Sequence, residues 1–288
     1  MHRPTMLLAG GVLVLAAAAC APQPSTTASP SASGSASATC DKAQLPLTAP
    51  GKLTIGTDKP AYEPWFKNDD PTSGQGFESA VAYAVAQKLG FTKDEVAWTV
   101  VPFDSSFAPG PKKFDFDINQ ISISPERQKA VDFSEGYYTV KQGVVALNGS
   151  KFAGATTLAE LKDAKIGVQA GTTALQAVQQ VIQPTKDPSV YNQQIDAISA
   201  LKNKQIDAIV VDLPTAFYVT AAQIDGSKIV GQFAANSGTP EEFGLLFQKG
   251  SGLVSCVDKA LGDLKSSGEL AGIESQWLTG SAGAPELK

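Results

Sequence analysis

The chain has 288 residues, a formal net charge of −5 and 43% hydrophobic residues. That allows a sizeable core in one large domain or two lobes, and leaves no basic surface for nucleic acid or anionic headgroups. Its one histidine is His2 and its two methionines are Met1 and Met6. A chain processed after residue 19 has neither, which excludes Ser-His-Asp or Cys-His catalysis and histidine-held metals, while carboxylate, lysine or tyrosine chemistry stays open.

In chain order, Met1-His2-Arg3 is a positive start, and residues 6–19 are apolar, small and uncharged. Such a run is too short for a bilayer core of about 30 Å and predicts a signal peptide over 1–19. It ends Ala17-Ala18-Ala19-Cys20, which resembles a bacterial lipobox, with Cys20 as the lipidated first residue of the mature chain. Ala17 stands where a lipobox prefers leucine. Residues 21–39 are Ala, Ser, Thr, Pro and Gly with one Gln and no charge. That composition predicts a disordered tether with an r.m.s. span of about 25 Å. Residues 20–48 thus make up the anchor cysteine, tether and an N-terminal arm. With Cys20 set aside, Cys40 and Cys256 remain, a pair expected to form a disulfide in an exported protein, with two free thiols as the alternative.

Beyond Cys40 short strands alternate with helices. Leu53 and Ile55 mark a strand over 52–57; Phe77, Val81, Val85 and Leu89 recur every four residues and predict a helix closed by Gly90. Residues 114–123 alternate apolar and polar, as a half-buried strand does. Thr157 and Glu160 form a capping box. A strand over 165–169 leads through Gly171 to a helix over 173–182. Ile195, Ile198 and Leu201 mark another helix, and 206–211 is a continuous apolar run expected to be buried on both faces. Pro214 suits a helix start. Strands are expected over 228–233 and 244–247, then two closing helices divided near Gly268. The alternation predicts an α/β protein with mainly parallel sheets. Neither a Gly-x-Gly-x-x-Gly nor a Walker motif is present, so no nucleotide cofactor is expected.

Three segments carry more. They are Gly56-Thr57-Asp58 with Tyr62-Glu63-Pro64-Trp65; Ser122-Ile123-Ser124-Pro125-Glu126-Arg127 running on to Val131-Asp132-Phe133-Ser134; and Gly167-Val168-Gln169-Ala170-Gly171-Thr172-Thr173 with Ile206-Asp207-Ala208-Ile209-Val210-Val211-Asp212. In this order the chain resembles, over about 50–280, the polar amino-acid solute-binding proteins of ABC importers, solute-binding family 3. The resemblance implies the two-lobed type 2 periplasmic-binding-protein fold, two α/β lobes joined by two crossing segments with the ligand cleft between them. Lobe 1 is then expected over 49–140 plus 240–288 and lobe 2 over 141–239.

It also implies a site. A free amino acid presents a carboxylate, suited to the planar fork of Arg127 and to backbone N–H groups of Ser122 and Thr173. It also presents an ammonium, suited to Asp212, the Ser122 hydroxyl and the Gln120 carbonyl. Thr172 belongs to the same helix start. Tyr62, Trp65 and Phe103 are expected to flank the ligand's side-chain stem, and Asp58 and Glu78 to face its polar end, favouring glutamine or a basic amino acid. Each has a plainer role open to it: Asp212 as a helix cap, Glu78 as a first-turn charge, Thr172 and Thr173 as a simple helix start, the aromatics as loop packing. Gln120 departs from the family's Gly or Ser, the loop before Tyr62 is one residue longer, and Pro109-Gly110-Pro111 interrupts a stretch that is usually helical. The implied protein is a monomeric lipoprotein on the outer face of the cytoplasmic membrane. It delivers its amino acid to permease subunits, touches the membrane only through its anchor, and has no cofactor, no metal and no catalysis. The alternatives are an amino-acid sensor for a membrane signalling protein and, more remotely, an exported dehydratase on the same fold.

Overall fold

The computed structural model describes residues 40–235, 240–278 and 283–288. The expected signal peptide, Cys20 and the tether lie outside the described residues. Among the described residues, no helix is long and apolar enough to cross a membrane.

The chain enters through Cys40, bonded to Cys256 with a Cα–Cα distance of 5.4 Å. Closing a loop of 216 residues in this way contributes about 2–4 kcal/mol. Lobe 1 begins with β1 (Leu53–Thr57) and α1 (Phe77–Lys88), then β2 (Val96–Val100), the short α2 (Phe103–Ser106), β3 (Phe116–Asp117) and β4 (Val131–Val140). The four-residue repeat does form α1, and Phe77, Val81 and Val85 pack with Leu53 and Ile55 in one core. The chain crosses at Lys141 into lobe 2. There β5 (Gln142–Leu147), β6 (Ile166–Gln169), α3 (Thr173–Ala177), β7 (Ser189–Tyr191), α4 (Gln194–Lys202), β8 (Ala208–Asp212), α5 (Leu213–Tyr218) and β9 (Ser227–Phe233) follow. It returns through β10 (Glu241–Gln248) to α6 (Val254–Ser266) and α7 (Glu269–Leu278) on lobe 1.

The two five-stranded sheets share one plan: β2-β1-β3-β10-β4 in lobe 1 and β7-β6-β8-β5-β9 in lobe 2. Each has two parallel pairs and then two antiparallel ones. The sheets are therefore mixed rather than mainly parallel, because β10 and β5, the strands that cross between lobes, run against their neighbours. As the continuous apolar run requires, β8 is buried on both faces: Val210 joins one core and Ile209 and Val211 the other.

Three sequence expectations are corrected. Residues 114–123 are not a half-buried strand; only Phe116–Asp117 is strand, and 114–119 are buried throughout. The polar members point inward as well, with Asp115 accepting the N–H groups of Thr48 (2.6 Å) and Thr54 (2.7 Å). The helix from Thr173 keeps α geometry only to Ala177 and continues as a π turn to Ile182. The chain end does not stay on lobe 1. Leu287 is buried in a lobe 2 core, the Gln232 N–H donates to the Pro285 carbonyl (2.7 Å), and the Leu287 N–H donates to the Gln232 carbonyl (2.9 Å). Residues 283–288 therefore belong to lobe 2.

Candidate functional site

The carboxyl ends of β1 and β8, the loop after β3 and the start of α3 face one another between the lobes, the position where open α/β sheets take ligands. They enclose a cavity of about 40 Å³. Nine of the eleven residues expected to meet a ligand line it: Asp58, Tyr62, Phe103, Gln120, Ser122, Arg127, Thr172, Thr173 and Asp212. That volume holds little more than water.

Arg127 anchors the wall. It begins a single 3-10 turn, Arg127–Lys129, held by its N–H donating to Ser124 Oγ (3.2 Å). Its Nη1 donates to the Ser122 carbonyl (2.7 Å), and Nη2 reaches across the cleft to the Gly171 carbonyl (3.0 Å). The guanidinium lies over Phe107 (4.6 Å) and Phe103 (5.5 Å), a cation–π seat that fixes its plane. Burial lowers its pKa to about 10, with Glu241 and Asp212 pulling the other way; it stays charged at neutral pH. Two of its five N–H groups are used, so the remaining donors can take a carboxylate.

Opposite stands Asp212, at the end of β8 and the start of α5. Gln142 Nε2 donates to its Oδ1 (3.0 Å). Burial pushes its pKa up to about 8, and the charge of Glu241 adds to the rise. Placing a cation beside it relieves both effects. Asp212 flanks α5 without any side-chain capping bond, so its carboxylate is not spent on the helix.

Gln120 takes a left-handed conformation, φ 48°, where the related family uses Gly or Ser. Glu78 holds it there, accepting the Gln120 N–H (2.6 Å), the Gln120 side-chain amide and the Tyr137 hydroxyl. Glu78 is wholly buried and does not line the cavity. Its expected contact with a ligand is therefore corrected to support of Gln120. Trp65 is also corrected. It is fully buried among Phe77, Tyr138 and Phe243, with Nε1 donating to Thr215 Oγ1 of lobe 2 (3.0 Å). It packs where the lobes meet and does not line the cavity. Asp58 does face the cleft, its carboxylate accepting the N–H groups of Lys59 (2.6 Å) and Phe103 (3.2 Å), and burial raises its pKa. Tyr62 reaches Gln193 of lobe 2 (3.5 Å). Thr172 caps α3, its hydroxyl accepting the Leu175 N–H (3.2 Å), which is the plainer role open to it.

One residue has no counterpart in the sequence expectations. Glu241, the first residue of β10, is 8% exposed. Its Oε1 accepts the hydroxyls of Ser122 (2.5 Å) and Thr173 (2.5 Å). Glu242 beside it is exposed, and nothing local in Glu241-Glu242-Phe243 marks which acid turns inward.

The sequence pattern of the bacterial extracellular solute-binding proteins, family 3, matches residues 53–280. The chain belongs to that family. This family 3 protein is 28% identical to the arginine-binding extracellular protein ArtP of Bacillus subtilis, over 80% of this chain and 87% of the relative. It is 31% identical to a probable histidine-binding protein of Campylobacter jejuni, over 75% and 80%. An ancestral arginine-binding protein solved with arginine superposes with a TM-score of 0.66 at 32% identity, over 79% of this chain and 98% of that one. The two-lobed type 2 periplasmic-binding-protein fold is the fold of this chain.

Proposed function

We propose that this protein is an extracytoplasmic lipoprotein, anchored through Cys20, that captures a polar amino acid and delivers it to an ABC importer. Glutamine and the basic amino acids are the favoured ligands. The observation that carries the reading is the pairing of Arg127 on lobe 1 with Asp212 on lobe 2 across one cavity. A zwitterion spanning them satisfies both charges only when the lobes are together, so binding favours the closed form. Asp58 and Asp212 both line the cavity, against one arginine, and Glu241 lies just behind its wall. That charge balance favours a cationic or amide-bearing side chain over an acidic one. The arginine- and histidine-binding relatives fit the same preference. The charged groups serve recognition, and the protein acts as a carrier without catalysis.

The test is a thermal-shift screen of ligand-free protein against the twenty amino acids. A ligand at 100 times its dissociation constant adds about 2.7 kcal/mol. Arginine, lysine, histidine or glutamine is expected to raise the melting temperature most. A screen in which no amino acid raises it overturns the proposal.

A further inference from the structure

Ser122 and Thr173 line the cleft from opposite lobes, and their hydroxyl oxygens lie 3.3 Å apart. Behind them, outside the cavity wall, sits the Glu241 carboxylate. Its Oε1 takes a hydrogen bond from each hydroxyl, both at 2.5 Å. Its Oε2 accepts Gln142 Nε2 at 3.1 Å, and the same nitrogen donates to Asp212 Oδ1 at 3.0 Å. Glu241, where β10 begins, pairs with Val140, where β4 ends before the chain crosses to lobe 2, and its side-chain partners come from both lobes.

The proton count of this cluster is informative. A hydroxyl carries one proton and two lone pairs. Both hydroxyls donate to Glu241 Oε1 at 2.5 Å, closer than the 3.3 Å that separates them from each other, so their protons point at Glu241. What these hydroxyls then offer to the cleft is lone pairs. Together with the Asp212 carboxylate, which an arriving cation keeps ionised, they make one end of the site a set of acceptors. A primary ammonium, with three donors and no acceptor, is the amino-acid head group that suits such a set. A carboxylate or a neutral hydroxyl placed there meets oxygen lone pairs and a negative charge.

We infer that Glu241 is a positioning residue of the head-group site, which by committing the Ser122 and Thr173 hydroxyl protons makes both oxygens acceptors for a ligand's α-ammonium and so fixes which end of the ligand meets Arg127. The inference rests on the amino-acid reading given above and adds a residue to it. The electrostatics agree. The Glu241 charge adds to the burial that holds the Asp212 pKa up at about 8, a repulsion that an arriving cation removes.

Glu241→Gln probes this with little change of shape, since an amide brings donors to a place that now holds only acceptors. If its nitrogen takes the Oε1 position, the two hydroxyls are turned to donate into the cleft. Thr173→Val removes one of the two acceptors and serves as the second variant should Glu241→Gln fold poorly. Wild type and both variants are titrated by calorimetry with L-arginine and with 5-guanidinopentanoate, the same molecule without its α-ammonium. L-glutamine and glutaramate form a second pair. Each variant is expected to lose tenfold or more in affinity for the amino acid and less than threefold for the analogue that lacks the ammonium. Equal losses on both members of a pair mean that Glu241 only ties the lobes together, and overturn the inference. A Glu241→Gln protein that binds the amino acid within threefold of wild type also overturns it. Wild-type protein that binds none of the twenty amino acids overturns the substrate reading itself, a result distinct from either.

Discussion

Glu78 grips Gln120 twice, through the backbone N–H at 2.6 Å and through the side-chain amide. Left-handed backbone is costly for a residue with a side chain, and here a buried carboxyl holds it in place at the cavity wall. Burial brings the Glu78 pKa to about 7, above the ordinary 4.5, with the hydrogen bonds from Tyr137 and Gln120 opposing the rise.

A raised pKa has a definite sign in stability. The folded protein holds the Glu78 proton more tightly than the unfolded chain does. The associated stability is complete below about pH 4.5 and is lost as pH rises through about 7. The size is of order 3 kcal/mol. Glu78→Gln imitates the protonated form and does not titrate. Its stability relative to wild type is expected to improve steadily from pH 4.5 to pH 8, as followed by urea unfolding at several pH values. Asp117 and Asp212 titrate in both proteins, and because the Glu78 charge adds to the rise of each, the difference reads the Glu78 carboxyl together with its coupling to them. Parallel stability profiles would show that the Glu78 carboxyl keeps an ordinary pKa.

What local sequence carries, and what it does not, follows from range. The four-residue spacing of α1 and the run from Ser122 to Arg127 are contiguous, and the structure keeps both, with Arg127 at the cavity. Residues 114–119 deceive because alternation implies a wet face only when one face is wet. Here Asp115 is buried to take the N–H groups of Thr48 in the N-terminal arm and Thr54 in β1. Glu78 reads as a first-turn helix charge, and only the fold brings Tyr137 and Gln120 to it. Glu241 is invisible for the same reason, since its partners Ser122, Gln142 and Thr173 come from three other segments.

The chain end offers a separate test of the architecture. Leu287 is buried in lobe 2, and a β-carbon on Gly231 would lie 2.6 Å from its Cγ, so the seat is close-fitting. Leu287→Ala empties it and is expected to cost about 2–3 kcal/mol, roughly 4–12 °C in melting temperature for a body of this size. Gly231→Ala is expected to displace the same residue and act in the same direction. A melting temperature unchanged in both variants would mean that the chain end is not docked on lobe 2 in solution.

Cys20 is tested in cells. If it carries the lipid, Cys20→Ala leaves an exported chain with only its polar tether, and no described helix of the body can span a bilayer. The variant is expected in the soluble fraction and wild type in the membrane fraction. Retention of Cys20→Ala in the membrane rules the anchor out.

Arg127 is where recognition of the shared head group is most exposed to experiment. Its guanidinium spends one N–H on the Ser122 carbonyl and one on the Gly171 carbonyl, and Phe103 and Phe107 hold its plane. Arg127→Ala removes the charge partner of a buried carboxylate and also leaves those two carbonyls without their donor. Truncating one member of such a pair costs about 2–5 kcal/mol, or roughly 30-fold to several thousandfold in affinity. Arg127→Lys restores the charge but not the fork. One ammonium cannot serve Ser122, Gly171 and both oxygens of a carboxylate in the geometry a planar guanidinium provides. Its affinity is expected between those of wild type and Arg127→Ala. Because the contact is with the part all amino acids share, the loss should be similar for each ligand the protein accepts, whereas Asp58→Asn should change the ranking among them. Calorimetry with the two best ligands separates the two patterns. Binding by Arg127→Ala within threefold of wild type removes Arg127 from the head-group site.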